Sequence, residues 1–179
     1  MALEKATFAS GCFWCTEAIF KRLKGVREVI SGYSGGKTSN PNYEIVSRGK
    51  SGHAEAITLT FDPKTISYQT LLEIFWKLHD PTTLNRQGAD SGTQYRSIIF
   101  YHDENQKKLA QLTKEQLTKK GVYKSPIVTE IIPFVSFTKA EEYHQGYYDS
   151  NQTNPYCRIV IDPKIQKLYK SFGDVVKKN

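Results

Sequence analysis

The order of strand-like and helix-like segments is the feature that most constrains the fold of this chain. Five short segments have the β-branched and aromatic composition typical of buried strands: residues 7–10, 26–33, 54–61, 97–101 and 127–134. Three longer segments carry apolar residues at helical spacing: residues 13–23, 70–79 and 104–120. Because helices alternate with strands in mixed order, the pattern predicts an α+β fold, a two-layer sandwich of helices packed on a mixed sheet.

The remainder of the chain is predicted to be irregular. Two long polar loops span residues 34–42 and 82–93, and an aromatic stretch with little periodicity follows Thr138. We predict one more strand at Arg158–Ile161, so that the C-terminal region is irregular apart from this strand. No repeat or linker interrupts these patterns, and 179 residues suit one core, so residues 1–179 are predicted to form a single domain.

Composition and charge exclude several classes of protein. Hydrophobic residues make up 39% of the chain and no apolar run reaches membrane-spanning length. The start, Met1 to Lys5, lacks a signal-peptide pattern, so we expect a cytoplasmic protein without a membrane partner. The net charge of +7 would suit an RNA-binding domain, but lysines alternate with acids at helical spacing, as in Glu104/Lys108 and Glu115/Lys119. Aromatic and basic residues are not interleaved as RNA binding would require, so no nucleic-acid partner is expected.

The three cysteines, Cys12, Cys15 and Cys157, are too few for a disulfide framework. In a reducing compartment they indicate catalysis, metal binding or inert burial. Cys12 lies where a predicted strand gives way to a helix, beside Gly11, and the free N–H groups of a helix start stabilise a thiolate. Position alone leaves a reactive and an inert buried cysteine equally open.

The spacing Cys12-Phe13-Trp14-Cys15 is a C-x-x-C motif. It suits redox chemistry, and a thioredoxin-like disulfide oxidoreductase is the alternative enzyme it would support. A zinc site would need two further ligands, from Cys157 and one histidine, and no second C-x-x-C exists, so no metal is expected. Phe13 and Trp14 are either ordinary core residues or the walls of a pocket for a small apolar group such as a methyl.

Glu55 is the most informative acid in the sequence. In a regular strand it shares one face with Ile57, Leu59 and Phe61, so it would point toward the core. Burial would raise its pKa and make it a general acid near neutrality. The strand could instead start after Glu55, or the carboxylate could pair with a lysine. The loop at residues 88–96, which contains Asp90, is also rich in polar groups and directly precedes a buried strand.

Taken together, these features resemble one family, the A-type peptide methionine sulfoxide reductases. The motifs that carry the resemblance are spread over nearly the whole chain and lie at residues 11–14 (GCFW), 32–36 (GYSGG), 40–43 (NPNY), 52–56 (GHAEA), 79–82 (HDPT), 92–97 (GTQYRS), 140–145 (AEEYHQ) and 155–157 (PYC). Many ordered motifs at compatible spacings favour the functional interpretation of Cys12 and Glu55 over the structural one.

The resemblance implies a ferredoxin-like split βαβ core and reduction of the S epimer of methionine sulfoxide, free or in proteins. It implies that Cys12 attacks the sulfur as a thiolate and becomes a sulfenic acid, while Phe13 and Trp14 hold the substrate methyl. Glu55 would protonate the sulfoxide oxygen, and the hydroxyls of Tyr43 and Tyr95 would assist. Asp90 would help to orient the substrate. Such an enzyme repairs proteins under oxidative stress as a monomer, has no bound cofactor and takes its electrons from thioredoxin.

The chain departs from the commonest family pattern just after Trp14, where many relatives carry glycine and this chain carries Cys15. The resemblance therefore leaves two candidates for the resolving thiol. Cys157 lies in the region that supplies the resolving thiol in relatives, and we expect it to act first. Cys15 is its rival, or its partner in a disulfide relay.

Overall fold

The computed structural model describes residues 2–178, which form a mixed six-stranded sheet covered by helices. The large strands are β1 (Glu4–Ser10), β2 (Val26–Ser34) and β3 (Ala54–Phe61). A short hairpin of β4 (Arg86–Gln87) and β5 (Asp90–Ser91) lies outside the main sheet, which is completed by β6 (Ser97–Tyr101), β7 (Glu130–Pro133) and β8 (Phe137–Lys139). The helices are α1 (Phe13–Phe20), α2 (Tyr43–Ser47), α3 (Tyr68–Leu78), α4 (Glu104–Lys119), α5 (Tyr147–Ser150) and α6 (Asp162–Phe172).

The sheet contains the predicted split βαβ unit. Its strand order is β7-β6-β1-β3-β2-β8, so β1 and β2 are separated by β3. Strand β3 runs antiparallel to both of them, and β6 runs antiparallel to β1. Among the strands of residues 2–178, only β7 pairs in parallel, with β6, which makes the sheet mixed. The central order β6-β1-β3-β2, with α1 and α3 as the connections, is the ferredoxin-like arrangement, and the predicted α+β class is confirmed.

Local signals explain most of the boundaries. Asp103 caps α4 by accepting a hydrogen bond from the Gln106 amide at 2.8 Å, as its position in the sequence predicts. Ser67 caps α3 in the same way through Thr70 at 3.0 Å. Helix α1 is shorter than predicted and ends at Phe20. The last predicted strand of the sheet is also shorter, four residues from Glu130 to Pro133.

The predicted strand at Arg158–Ile161 is wrong. These residues belong to a π-type helical turn, Cys157–Ile161, that runs directly into α6. The buried residues Ile161, Ile165 and Leu168 recur at helical spacing, and Pro163 in the first turn suits a helix start. The prediction failed because only these four residues were considered when they were assigned to a strand. The helical spacing of the apolar residues that follow them was left out. The C-terminal region is therefore irregular only as far as Cys157.

The core brings two strand ends to one edge of the sheet. Phe8 of β1 packs on Phe20 and Phe75, with ring centroids 5.3 and 5.2 Å apart, which holds α1 and α3 on the same face. Because β1 and β3 are antiparallel, the end of β1 and the start of β3 meet at the same edge. Cys12 lies two residues after the end of β1, and Glu55 is the second residue of β3. Among residues 2–178, no helix is long and apolar enough to cross a membrane.

Candidate active site

Cys12 lies at the start of α1, where the chain turns out of β1. Gly11 makes the turn with φ +94°, and a Cβ atom there would lie 2.6 Å from Cγ of Gln87. The carbonyl oxygen of Cys12 accepts the first hydrogen bonds of the helix, from the amides of Cys15 and Thr16 at 3.1 and 3.3 Å. Cys12 itself is 8% exposed. The residue therefore occupies a helix N-terminus and is buried, with a small part of its surface exposed.

Glu55 faces this helix start. Its Oε2 accepts a hydrogen bond from the backbone amide of Phe13 at 3.0 Å, and only 3% of the residue is exposed. It lies on the same face of β3 as Ile57, Leu59 and Phe61, and all four residues are buried, as the alternation predicts. Burial raises the pKa of Glu55 to about 8, against the Phe13 hydrogen bond, which lowers it. The carboxyl group is therefore mostly protonated at neutral pH.

Tyr43 and Tyr95 both lie within electrostatic range of Glu55 and Cys12. Burial raises the pKa of both hydroxyls, and the charges of Glu55 and Cys12 raise them further. Tyr43 comes from the first turn of α2, and Tyr95 comes from a short 3₁₀ turn, Thr93–Tyr95, just before β6. Both phenols remain protonated near neutral pH and can donate hydrogen bonds. The structure thus brings together the four residues predicted to be catalytic.

The three cysteines lie in one small apolar group, called here the cysteine cluster, which consists of Cys12, Cys15, Ala18, Cys157, Ile161 and Ile165. All three thiols are free and buried. A hydrogen bond from the Cys12 thiol lowers the pKa of Cys15 to about 7, and the charge of Lys164 and the hydroxyl of Tyr156 act in the same direction. Burial, followed by the Cys15 thiol, raises the pKa of Cys12. The two thiols therefore titrate as a pair, whose first proton is lost near neutral pH.

Asp90 is held by a tyrosine that the sequence analysis did not single out. The hydroxyl of Tyr156 donates to Oδ2 of Asp90 at 2.6 Å and lies 3.8 Å from the sulfur of Cys15. This bond ties β5 to the residue that precedes Cys157. The signal available in the sequence was only that Tyr156 adjoins a cysteine, and its link to Asp90, 66 residues away, depends on the fold.

Phe13 and Trp14 form an aromatic wall beside Cys12. Phe13 is buried against Tyr33 and His144, with ring centroids 5.7 and 5.0 Å away. Trp14 is half-buried and stacks on Tyr147 at 3.6 Å with the rings nearly parallel, at 6°. Its indole N–H donates to Nδ1 of His144 at 3.0 Å, which fixes the ring in its plane. Phe13 is thus also a buried core residue, whereas part of the Trp14 side chain is exposed to solvent.

Similarity to known proteins identifies the family. The family model described as "Peptide methionine sulfoxide reductase" matches residues 4–175. The chain belongs to this family. A peptide methionine sulfoxide reductase MsrA from Sulfolobus acidocaldarius is 54% identical over 176 residues, which cover 96% of this chain and 97% of that protein.

Solved structures of a yeast relative share the fold. The crystal structure of Mxr1 from Saccharomyces cerevisiae in reduced form matches with a TM-score of 0.78 and 37% identity over 87% of this chain and 89% of that one. The structure of Mxr1 in complex with Trx2 matches with a TM-score of 0.56 and 30% identity over 81% of this chain and 84% of that one. Within the described part of this reductase chain, no three His, Cys, Asp or Glu side chains come together to form a metal site.

Glu17 is a second residue near the site that the sequence analysis missed. It is buried one turn after Trp14, and its two carboxylate oxygens accept the amide of Gly146 at 2.8 and 3.1 Å. The hydroxyl of Ser31 donates to the same carboxylate at 3.3 Å. Because Gly146 directly precedes Tyr147, Glu17 anchors the segment whose ring stacks on Trp14.

We expect Glu17→Ala to lower the free energy of unfolding by about 1–3 kcal/mol, because it leaves the Gly146 amide without a partner. Urea denaturation followed by circular dichroism measures this loss. Glu28→Ala is the matched control, since Glu28 is exposed on β2 and its removal should change stability by less than about 0.5 kcal/mol. Equal effects of the two variants would show that the Gly146 contact is not stabilising.

Proposed function

We propose that this chain reduces the S epimer of methionine sulfoxide, free or in proteins, to methionine, with Cys12 as the nucleophile and Glu55 as the acid. One observation carries the proposal. A cysteine at a helix N-terminus is adjacent to a buried carboxyl group whose pKa is raised to about 8. Two protonated tyrosines lie within electrostatic range of both this cysteine and this carboxyl group. A nucleophile and a proton donor are the two groups that the reduction of a sulfoxide needs.

The chemical step follows from the charges of these groups. The Cys15 thiolate takes the proton of Cys12, because the pKa of Cys15 is the lower of the two. The resulting Cys12 thiolate attacks the sulfoxide sulfur, and the proton of Glu55 passes to the sulfoxide oxygen, which gains negative charge as the S–O bond weakens. The hydroxyls of Tyr43 and Tyr95 donate hydrogen bonds to the same oxygen. The oxygen is transferred to Cys12, so that one sulfoxide, one thiolate and one proton give methionine and a Cys12 sulfenic acid. A charged Glu55 would repel the oxygen, so the protonated carboxyl is the working form.

Substrate recognition in this proposal uses the aromatic wall. Phe13 and Trp14 contact the methyl group attached to the sulfoxide sulfur. The stack of Trp14 on Tyr147 and its hydrogen bond to His144 keep the indole in one orientation, which reduces the entropy lost on binding. Asp90 acts through Tyr156, because their 2.6 Å hydrogen bond holds the Tyr156 hydroxyl beside the Cys15 sulfur. The wall and the tyrosines together would distinguish one sulfoxide epimer from the other.

Regeneration uses the other two thiols of the cysteine cluster. The Cys15 thiol condenses with the Cys12 sulfenic acid, forming a Cys12–Cys15 disulfide and releasing water. Cys15 lies one helical turn after Cys12 in α1, whereas Cys157 comes from the separate helical turn that precedes α6. These positions favour Cys15 as the first resolving thiol, in place of the expected Cys157. Cys157 would then attack Cys15 and free Cys12 for another turnover.

Thioredoxin is the proposed external reductant, because the yeast relative Mxr1 has been solved in complex with Trx2. The nucleophile, the acid and the resolving thiols all come from the chain, so the reaction needs no resident cofactor. We propose a single catalytic domain acting as a monomer in protein repair during oxidative stress. Three free cysteines suit a reducing compartment, and we propose the cytoplasm.

The purified protein is expected to consume only the S epimer of free methionine sulfoxide when each epimer is supplied separately with dithiothreitol. Chiral chromatography of the remaining sulfoxide and measurement of the methionine formed give the result. The same preparation is assayed on a protein disulfide, the substrate of the C-x-x-C alternative. Turnover of the disulfide without turnover of either sulfoxide would replace this proposal with the disulfide oxidoreductase, for which Glu55 and Tyr43 have no role.

A further inference from the structure

A basic cleft lies beside the cysteine cluster. It has a volume of about 760 Å³ and is formed by the end of α3, the loop after α4 and the start of α6. Its lining residues include one acid, Asp80, and four lysines: Lys77, Lys124, Lys164 and Lys167. Lys77, Lys124 and Lys167 are exposed, and Lys164 is half-buried. We call this surface the lysine cleft.

The positive charge of the lysine cleft is not neutralised. None of its four lysines forms an ion pair with a residue that the structure describes. The ammonium group of Lys167 donates instead to the carbonyl oxygen of Lys77 at 2.8 Å. A cavity of similar size, about 720 Å³, between α4 and β7 has Lys114 and Lys119 balanced by Glu115 and Glu130. The lysine cleft is therefore basic because its own lining residues include four lysines without acidic partners, and not merely because the whole chain has a positive net charge.

Two residues that line the lysine cleft adjoin residues of the redox centre. Gln87, which lines the cleft, packs directly on Gly11, the residue before Cys12. Lys164 lines the cleft from the first turn of α6, and the next residue, Ile165, belongs to the cysteine cluster. The charge of Lys164 also reaches the Cys15 sulfur. A protein bound in the cleft would have its surface next to the thiols that must be reduced.

We propose that the lysine cleft docks the acidic surface of the protein dithiol that reduces this enzyme. The inference rests on the proposed function, since a disulfide that forms in each cycle must receive two electrons from an external dithiol. That dithiol attacks as a thiolate and is itself converted to a disulfide, while the enzyme disulfide returns to two thiols. A positive surface beside the disulfide attracts an acidic partner during encounter and stabilises both the attacking and the leaving thiolate. The partner that this surface fits is therefore one with carboxylates around its active thiols.

The test compares two reductants on charge variants of the cleft. The variants are the pair Lys124→Gln with Lys167→Gln and the pair Lys124→Glu with Lys167→Glu, which remove and then reverse two charges. The control is Lys108→Glu, an exposed lysine of α4 outside the cleft. Free methionine sulfoxide is the substrate throughout, so that docking of a peptide substrate cannot contribute. The readout is the ratio of kcat/KM for thioredoxin to the rate supported by dithiothreitol.

We expect this ratio to fall stepwise, by roughly tenfold or more in the glutamate pair, with most of the change in KM for thioredoxin. The wild-type kcat/KM for thioredoxin should fall as salt rises, and this dependence should weaken in the variants. The Lys108→Glu ratio should equal that of wild type. An unchanged ratio, or a parallel loss with both reductants in the glutamine and the glutamate pair, would overturn the docking role. Absence of dithiothreitol-supported turnover in wild type would instead overturn the proposed function.

Discussion

Cys12→Ser is expected to abolish methionine sulfoxide reduction with dithiothreitol and thioredoxin alike, a loss of roughly 10⁴-fold or more. A serine hydroxyl is not ionised at neutral pH and cannot accept the oxygen as a sulfenic acid does. Because Cys12 is small and lies at the helix start without a capping side-chain bond, the substitution should leave the fold intact. Methionine formation measures the loss, and thermal unfolding checks the fold.

The other two cysteines should separate catalysis from regeneration. Cys15→Ser and Cys157→Ser are expected to retain turnover with dithiothreitol, because a small dithiol can reduce a Cys12 sulfenic acid or a Cys12 disulfide directly. Both should lose most turnover with thioredoxin, since the relay through the cysteine cluster is broken in each. Cys15→Ser and Cys157→Ser therefore serve as matched controls for Cys12→Ser, with the same atom exchanged in the same cluster.

Counting methionine without any reductant tests the relay directly. Each sulfoxide takes two electrons. The relay ends with one Cys15–Cys157 disulfide and one Cys12 sulfenic acid, so wild type should form two methionines per enzyme. Cys15→Ser and Cys157→Ser should each form one. One methionine per wild-type enzyme would contradict the transfer from Cys15 to Cys157, and measurable turnover by Cys12→Ser would contradict the assignment of the nucleophile.

The fold core was predictable because its signals are local. Alternation along β3 places Glu55 on one face with Ile57, and the predicted burial of Glu55 is confirmed. The tail after Cys157 was mispredicted because a four-residue window does not distinguish a strand from a helical turn. A window that included Ile165 and Leu168 would have revealed the helical period.

The features of the site that escaped prediction depend on contacts between distant residues. Glu17 appears in the sequence as one more acid on a helix, and its partner Gly146 is 129 residues away. The thiol pair shows the same limit. A helix start predicts a lowered pKa for Cys12, yet burial and the Cys15 thiol raise it, while the pKa of Cys15 is lowered. Propensity and spacing carry no information on either effect, because both depend on which side chains the fold brings together.

Glu55→Gln is expected to make the protein more stable and less active. The folded pKa of Glu55 is raised from its usual value of 4.5 to about 8, so the folded state holds a proton that the unfolded state releases. Stability contributed by this group is therefore present at low pH and is lost as pH rises from about 4.5 to about 8. Glutamine stays neutral in both states and can still accept the Phe13 amide, so the variant should gain about 3 kcal/mol at pH 7.

The same substitution should slow sulfoxide reduction by about 10²-fold, because an amide can donate a hydrogen bond to the oxygen but cannot transfer a proton. Glu55→Ala should lose more, about 10³-fold or beyond, since it also leaves the Phe13 amide unpaired. Denaturation and kcat/KM with dithiothreitol are measured between pH 5 and 9. Wild-type activity should decline above about pH 8, and Glu55→Gln should lack this decline. If instead Glu55→Gln lost stability and kept the decline, Glu55 would be a structural carboxylate, and the proton would have to come from Tyr43 or Tyr95.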